Sequence, residues 1–174
     1  MPAEDLESLF RSWLVEHQGA VLKVARAYTL TTEDCQDLAQ EILLQVWCSL
    51  PQFQGRASAA TWFYRVALNT ALGWHRKEHR RRARQQPILA VEDLPVAALD
   101  SSQKMVQREA VQRLYAAIHQ LPKSDAALVL LYLDDLSYRQ MAEVLGVSEG
   151  NVGVKLNRVK KALGELLKEE SHGS

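Results

Sequence analysis

The chain has 174 residues, with 21 Lys plus Arg against 21 Asp plus Glu, 47% hydrophobic residues and 24% charged residues. These values are typical of an ordinary globular protein and exclude a disordered, collagen-like or membrane-spanning chain. The longest apolar run covers residues 126–133, far short of the roughly 18 residues that cross a bilayer, and the acidic N-terminus is unlike a signal peptide. We therefore expect a cytoplasmic protein with no direct membrane insertion.

Residues that commonly carry chemistry are sparse and badly spaced for it. Cys35 and Cys48 have no CxxC or CxxH partner, so neither a disulfide nor a zinc site is predicted. His75 and His79 stand four residues apart, but they lie in an arginine-rich run without a third ligand, which favours phosphate contact over a metal site. No phosphate-binding glycine loop, HExxH motif or pair of nucleophile and base appears, so we expect no catalytic residue, no cofactor and no enzyme activity.

The first half of the chain has a helical apolar period. Residues 4–28 are expected to form a helix, and residues 37–50 form a second one that ends at Pro51. Its apolar positions recur every four residues, and we expect Trp47 to pack in the core beside them. The expected buried stripe consists of Leu38, Ile42, Val46 and Leu50.

A third helix leads into a basic segment and then into a linker. Ser58 can cap this helix, and its inward positions are expected to be Trp62, Val66 and Leu72. Residues 61–86 carry seven basic residues and one acidic residue, whereas the Pro- and Ser-containing stretch that follows has no helical period. We predict an all-α fold with two small domains, residues 1–84 and 108–174, joined by a flexible linker at residues 85–107.

The second half predicts two helices and then a helix-turn-helix. Pro122 ends the first helix, and Ser124 can cap the second, residues 125–133. Ser137 and Gln140 have the spacing of a capping box, and Gly146 suits a left-handed turn before a helix capped by Ser148. The expected apolar positions are Val111, Leu114, Ile118 and Leu121 in the first helix, and Val152, Leu156, Val159 and Leu163 in the last. The alternative is a helical hairpin whose charged face is simply solvated. The serine caps, the glycine turn and the apolar residues between the two helices occur together at the expected spacing, which favours a DNA-binding motif.

These segments resemble the extracytoplasmic-function (ECF) sigma factors of bacterial RNA polymerase. Residues 34–41 read DCQDLAQE, residues 50–55 read LPQFQG and residues 61–69 read TWFYRVALN. In the second half, residues 136–138 read LSY and residues 156–163 read LNRVKKAL. The resemblance covers nearly the whole chain, and it implies a transcription initiation factor with a domain similar to sigma region 2 and another similar to sigma region 4.

The resemblance also implies partners. These are core RNA polymerase, through its clamp coiled-coil and its flap, and promoter DNA; an anti-sigma factor is a further partner that the family often has. The helix of residues 37–50 matches the one that binds the clamp, so the expected polymerase-binding residues are Asp37, Gln40, Glu41, Leu44 and Gln45. Gln36 stands where relatives commonly have an acid, which would slightly reduce the charge facing the clamp.

Contacts with the −10 element would come from the third helix and its basic end. Asn69 matches a position that often holds a flipped base in relatives, although it could equally be a surface asparagine; Trp74 could stack on a base or close the core. The expected −10 residues are Arg65, Asn69, Trp74, Arg76, Lys77, Arg80, Arg81 and Arg82.

Contacts with the −35 element would come from the last helix. Gly153 and Val154 stand where relatives more often have a Lys-Ser pair. The Val154 side chain could contact a thymine methyl but cannot form a hydrogen bond. The expected −35 residues are Ser148, Asn151, Val154, Lys155, Asn157, Arg158 and Lys161. A stand-alone helix-turn-helix regulator and an interaction protein that has lost its DNA contacts remain the alternatives.

Overall fold

The computed structural model describes residues 3–84 and 102–172. In these ranges the chain forms seven α-helices and one short 3₁₀ turn, and no strand occurs among them. None of the described helices has the length and hydropathy needed to span a membrane. The helices are α1 (Ala3–Tyr28), α2 (Thr32–Ser49), α3 (Ala59–Arg84), α4 (Ser102–Gln120), α5 (Lys123–Leu133), α6 (Tyr138–Leu145) and α7 (Glu149–His172), with the 3₁₀ turn Leu50–Gln52 after α2.

Helices α1, α2 and α3 pack together as the first domain. The predicted stripe of α2, from Leu38 to Leu50 at every fourth residue, is fully buried. The helix begins at Thr32 rather than at residue 37, because the Thr31 side chain accepts a hydrogen bond from the backbone N–H of Asp34. Two acidic residues in the first turn also favour this earlier start.

The buried face of α3 is rotated from the predicted one. Trp62, Val66 and Leu72 are only half-buried and flank the core. The fully buried positions are Thr61, Phe63, Tyr64, Ala67, Leu68 and Ala71. Ala67 and Ala71 lie on this buried face beside the larger Phe63 and Leu68, so a stripe drawn through Trp62, Val66 and Leu72 misses it. The predicted cap is confirmed, since Ser58 Oγ accepts from the Thr61 N–H at 3.1 Å.

The expectation that Trp47 lies in the core is wrong. Its side chain is 41% exposed and packs edge-on against Phe10, with ring centroids 5.1 Å apart. An aromatic cluster is formed instead by buried Trp13 and half-buried Phe53 and Trp62, whose centroids lie 5.0 to 5.6 Å apart. Trp13 lies on α1, Phe53 lies in the loop after α2, and Trp62 lies on α3. The apolar periodicity of a single helix does not reveal a cluster formed by three elements.

Helices α4 to α7 form the second domain, with two departures from prediction. Helix α4 begins at Ser102, so residues 102–107 of the predicted linker are helical, while residues 85–101 lie outside the described part. Ser124 does not cap α5, because that helix already begins at Lys123 after Pro122. Pro122 has no backbone N–H and a φ of −53°, which allows the helix to start without a side-chain cap.

The helix-turn-helix is confirmed in its local details. Ser137 Oγ accepts from the Gln140 N–H, and Gln140 Oε1 accepts from the Ser137 N–H at 2.9 Å. Gly146 has a φ of +67°, the left-handed conformation that glycine adopts without steric cost. Ser148 Oγ accepts from the Asn151 N–H at 3.2 Å. In α7, Val152, Leu156 and Val159 are buried as predicted, and Leu163 packs at the edge of the core.

The two domains are docked on each other through α1, α3, α4, α5 and α6. The carboxylate of Asp134, just after α5, accepts hydrogen bonds from Lys23 of α1 and from the hydroxyl of Tyr64 of α3. The Tyr28 hydroxyl donates to the carbonyl of Lys123 at 2.7 Å. This closed arrangement of the domains was not anticipated from the sequence, since it depends on contacts far apart in the chain.

Candidate protein and nucleic-acid interfaces

The outer side of α2 presents a contiguous surface, named here the α2 face. It consists of Asp37, Gln40, Glu41, Leu44 and Gln45, all of which are exposed except Glu41, which is half-buried. Leu44 is 53% exposed, and Gln45 Nε2 donates to Glu41 Oε1 at 2.9 Å. Spacings of three, four, seven and eight residues place these side chains along one side of the helix. The structure thus brings all five predicted protein-binding residues together.

A cavity of about 470 Å³ lies between α2 and α3, named here the α2–α3 cavity. Three predicted DNA-contacting residues, Asn69, Trp74 and Lys77, lie together in its wall. Two residues of the α2 face, Glu41 and Gln45, form its other side, so the two predicted surfaces are continuous. Thr70 and Gly73 also line it and were missed; both follow Asn69 within one helical turn, which could have indicated them.

The basic end of α3 forms an open groove of about 370 Å³. Its lining residues are Lys77, Arg80, Arg81 and Arg84. Arg84 was not among the predicted residues, although it stands seven residues after Lys77 and four after Arg80 on the same side of the helix. Arg76, which directly precedes Lys77 in the sequence, is also exposed. Hydrogen bonds from Arg81 lower the pKa of the Glu78 carboxyl. Burial opposes this lowering, and Arg82 adds to it.

Several of the predicted DNA-contacting arginines form contacts within the protein, although Arg81, which pairs with Glu78 at 2.6 Å, stays exposed in the groove. Arg82 is half-buried and pairs with Asp34 at 3.0 Å and with Glu78 at 2.8 Å. Arg65 donates to the backbone carbonyl of Glu143, at the end of α6. In the closed arrangement the structure therefore separates both side chains from the groove that holds the other basic residues.

The outward side of α7 carries the predicted recognition residues. Ser148, Asn151, Val154, Asn157, Arg158 and Lys161 are exposed, and Lys155 is half-buried. Val154 is 73% exposed, and Arg158 approaches Asp125 only loosely, at 3.8 Å. Tyr138, which was not singled out from the sequence, borders this surface: a Cβ atom on Gly153 would lie 3.5 Å from the Tyr138 ring.

The polar contacts between the domains were also missed. His119 Nε2 donates to the Arg26 carbonyl at 2.8 Å, and Lys123 Nζ donates to the Ala27 carbonyl at 3.3 Å. Burial raises the pKa of the Tyr28 hydroxyl, which donates across the same junction. A tyrosine on an otherwise apolar helix face was the one available signal, because a buried hydroxyl requires a partner.

Metal-binding groups are not assembled in the described part of the chain. No cluster of three or more His, Cys, Asp or Glu side chains there is arranged to hold a metal ion. The rings of His75 and His79 stack with centroids 6.3 Å apart, and both cysteines are unpaired.

Two family models match the chain in sequence order. Sigma-70 region 2 matches residues 13–81, and Sigma-70, region 4 matches residues 111–163. The ECF RNA polymerase sigma factor SigX of Bacillus subtilis is 33% identical over 144 residues, with 78% of this chain and 73% of SigX covered. The chain belongs to the ECF sigma factor family of RNA polymerase. The ECF sigma factor SigM of Mycobacterium tuberculosis is 31% identical over 163 residues, with 92% and 76% covered.

Solved structures have the same fold as this sigma factor. The sigma factor RpoE of Bartonella quintana, in complex with the anti-sigma factor NepR, matches with a TM-score of 0.73 and 20% identity, covering 91% of this chain and 96% of RpoE. CnrH, in complex with the cytosolic domain of CnrY, matches with a TM-score of 0.66 and 18% identity, covering 94% and 90%. Helices α1 to α3 therefore correspond to region 2, and α4 to α7 contain region 4.

Proposed function

We propose that this ECF sigma factor binds core RNA polymerase through the α2 face, directs it to specific promoters and helps to melt the −10 element. The proposal is carried by the presence of regions 2 and 4 in one chain, each with an exposed surface of suitable chemistry. The protein has no catalytic role of its own and acts in the cytoplasm, where polymerase and promoters are found.

Binding to the clamp coiled-coil is supported by the composition of the α2 face. Leu44 supplies an exposed apolar centre, and Asp37, Gln40, Glu41 and Gln45 supply a polar rim. Interfaces commonly combine an apolar anchor with surrounding polar contacts, and carboxylates here suit a partner rich in arginine. Region 4 would contact the polymerase flap at the same time.

Melting of the −10 element is supported by the α2–α3 cavity and the basic groove beside it. The cavity is large enough for one unstacked base, which can bond to the Asn69 amide and stack on Trp74. Unstacking costs a few kcal/mol, and phosphate contacts from Lys77, Arg76, Arg80, Arg81 and Arg84 can offset it. About five such contacts correspond to a log-log salt slope of about −3.5 to −4.5. Arg65 and Arg82 can join them once their protein contacts open.

Recognition of the −35 element is supported by the outward side of α7. Asn151, Asn157 and Arg158 can donate hydrogen bonds to base edges or phosphates in a major groove, and Val154 can contact a thymine methyl. Ser148, Lys155 and Lys161 would contact the phosphates on either side. An anti-sigma factor is proposed as a regulatory partner, supported by the fold shared with RpoE and CnrH.

Run-off transcription with purified core RNA polymerase on genomic promoter fragments tests this function. Leu44→Arg places a charge in the middle of the α2 face without disturbing the core, since Leu44 is exposed. Leu22→Arg is the matched control, because Leu22 of α1 is 59% exposed and lies outside that face. We expect specific transcripts with the wild type and with Leu22→Arg, and a loss of at least about tenfold with Leu44→Arg, a change of about 1.4 kcal/mol in polymerase binding.

The same proteins should be checked for co-migration with core polymerase. Binding by the wild type and the Leu22→Arg protein, but not by the Leu44→Arg protein, would place the polymerase contact on the α2 face. A wild-type protein that binds promoter duplex alone and never co-migrates with polymerase would contradict the proposal and favour a stand-alone regulator.

A further inference from the structure

A second cavity, of about 230 Å³, lies at the junction of the two regions and is named here the interdomain cavity. Tyr28 of α1 and Trp74 and His75 of α3 form one part of its wall. His119 of α4 and Lys123 of α5 form the part contributed by region 4. Any molecule bound in this cavity would therefore contact both regions at once.

The interdomain cavity is also lined by two carboxylates, Asp34 and Glu78, and by Arg82, so the formal charges in its wall balance but the ion pairs are unevenly distributed. On one side, Arg82 pairs with Asp34 and Glu78, and Glu78 also pairs with Arg81, so these two cations and two carboxylates neutralise one another. On the other side, the ammonium of Lys123 forms no ion pair with any described residue. It donates to the Ala27 carbonyl at 3.3 Å and lies 5.4 Å from the centre of the Tyr28 ring. A cation partly removed from water without a counter-ion is unfavourable, so the site favours an anion.

The imidazoles of His75 and His119 would add further positive charge on protonation. Burial, then Lys123, His79 and Arg82 lower the pKa of His75. Burial lowers the pKa of His119, assisted by Lys123 and Arg26 and opposed by hydrogen bonds to the carbonyls of Arg26 and Thr29. Burial also lowers the pKa of Lys123 itself. An anion in the cavity would reverse the Coulombic part of these effects and favour the protonated forms.

We propose that the interdomain cavity binds the phosphate group of a small soluble molecule between Lys123, His75 and His119. The ammonium and the protonated imidazoles supply charge-assisted hydrogen bonds to the phosphate oxygens. The remaining volume, beside Trp74 and Tyr28, has room for a sugar-sized group. Because the ligand touches both regions, it stabilises the closed arrangement and lowers the affinity for polymerase, a consequence that rests on the proposed function.

Titration of the full chain with inorganic phosphate, followed by NMR of the five histidines, tests the binding site. Sodium chloride keeps the ionic strength constant, and exposed His172 at the end of α7 serves as an internal control. We expect the signals of His75 and His119 to shift saturably and their titration midpoints to rise, while the signal of His172 stays unchanged. Shifts that follow ionic strength alone, or that are absent at millimolar phosphate, would overturn the proposal.

Variants locate the bound phosphate. Lys123→Gln keeps a donor for the Ala27 carbonyl but removes the charge, and we expect it to weaken phosphate binding at least about tenfold. Lys168→Gln on the exposed end of α7 is the matched control and should bind as the wild type does. His75→Gln provides a second test from region 2, should Lys123→Gln fail to fold. Undiminished binding by a folded Lys123→Gln or His75→Gln protein would overturn the proposal.

Two further arms separate the source of the phosphate and the role of the site. Tighter binding of ribose 5-phosphate than of inorganic phosphate would indicate a phosphorylated metabolite, whereas equal affinity would indicate free phosphate; both outcomes support the site. Phosphate should also reduce co-migration with polymerase for the wild type but not for Lys123→Gln. Because the NMR titration needs neither polymerase nor DNA, failure of the sigma-factor function would leave its result intact.

Discussion

One carboxylate joins three structural elements of this protein. Asp134 ends α5 and accepts hydrogen bonds from Lys23 on α1 and from Tyr64 on α3. Tyr64 is buried in the core of region 2, so its hydroxyl has a fixed position and requires an acceptor there. The closed arrangement thus depends on a side chain that satisfies a cation and a buried hydroxyl together.

Asp134→Asn should loosen the junction between the regions. The amide loses the charge that attracts Lys23, at a cost of about 1 to 2 kcal/mol for charged hydrogen bonds in a partly exposed site. Amide hydrogen exchange around residues 134–140 should then accelerate by roughly 5 to 30 times. Asp135→Asn is the matched control, because Asp135 is exposed and its φ of 57° is tolerated by asparagine. Equal exchange in the two variants would show that Asp134 does not hold the regions together.

Side chains that act through neighbours in sequence were predictable, whereas those that act across the junction were not. Ser137, Gln140 and Gly146 follow local rules of capping and backbone conformation, and the structure confirms them. The pairing of Tyr64 with Asp134 joins residues 70 positions apart. Nothing in the local pattern specifies that contact, because it exists only when the two regions dock.

At the scale of elements, two of the glycines in the helix-turn-helix have different backbone requirements. Gly146 has a left-handed backbone, whereas Gly153 lies inside α7. An alanine Cβ at Gly153 would make an ordinary contact, 3.5 Å from the ring of Tyr138. The same substitution should therefore have opposite effects at the two positions.

Gly146→Ala should lower the melting temperature and Gly153→Ala should raise it. The first change costs about 1 to 2 kcal/mol because alanine disfavours positive φ. The second change raises the free energy of unfolding by about 0.5 to 1 kcal/mol, because alanine has the higher helix propensity. The melting temperature should shift by about 2 to 4 °C per kcal/mol. Thermal unfolding followed by circular dichroism measures both changes. A lower melting temperature for Gly153→Ala would mean that the Tyr138 ring cannot accept the added methyl.

Helix boundaries and helix faces were predictable to different degrees. The stripe of α2 and the inner line of α7 were correct, because large apolar residues repeat there at regular spacing. In α3 the buried face includes Ala67 and Ala71, whereas the larger Trp62 lies at its flank. The cap of α5 was assigned to Ser124 because serine is a common cap, but the helix begins after Pro122, two residues earlier.

At the scale of the whole molecule, the closed arrangement should depend on pH through His75 and His119. Both have a pKa below the ordinary value of 6.5 in this arrangement, first because of burial. Lys123 and Arg82 face His75, and Lys123 and Arg26 face His119, from the packed elements. Separation of the regions would return each pKa toward 6.5, so the open form binds more protons.

The direction of the pH dependence follows from this difference in bound protons. Above pH 6.5 both forms carry neutral imidazoles and the closed arrangement is undisturbed; as the pH falls below 6.5, protonation favours the open form. Hydrogen exchange at the junction, corrected for its intrinsic pH dependence, should show more opening at about pH 5.5 than at about pH 7.5. His119→Gln, which keeps a donor for the Arg26 carbonyl, should flatten this dependence, and His172→Gln should leave it unchanged. A dependence that survives loss of both His75 and His119 would assign it to other groups.

The indole of Trp74 lines both the α2–α3 cavity and the interdomain cavity. It therefore forms part of the wall of both spaces, and a change in the orientation of the ring would alter both at once. Thermodynamic reciprocity applies to such a wall: if an occupant on one side reorients the ring and changes binding on the other, the reverse effect has the same magnitude and sign. The surface proposed to melt DNA and the junction between the regions thus share one aromatic ring in their walls.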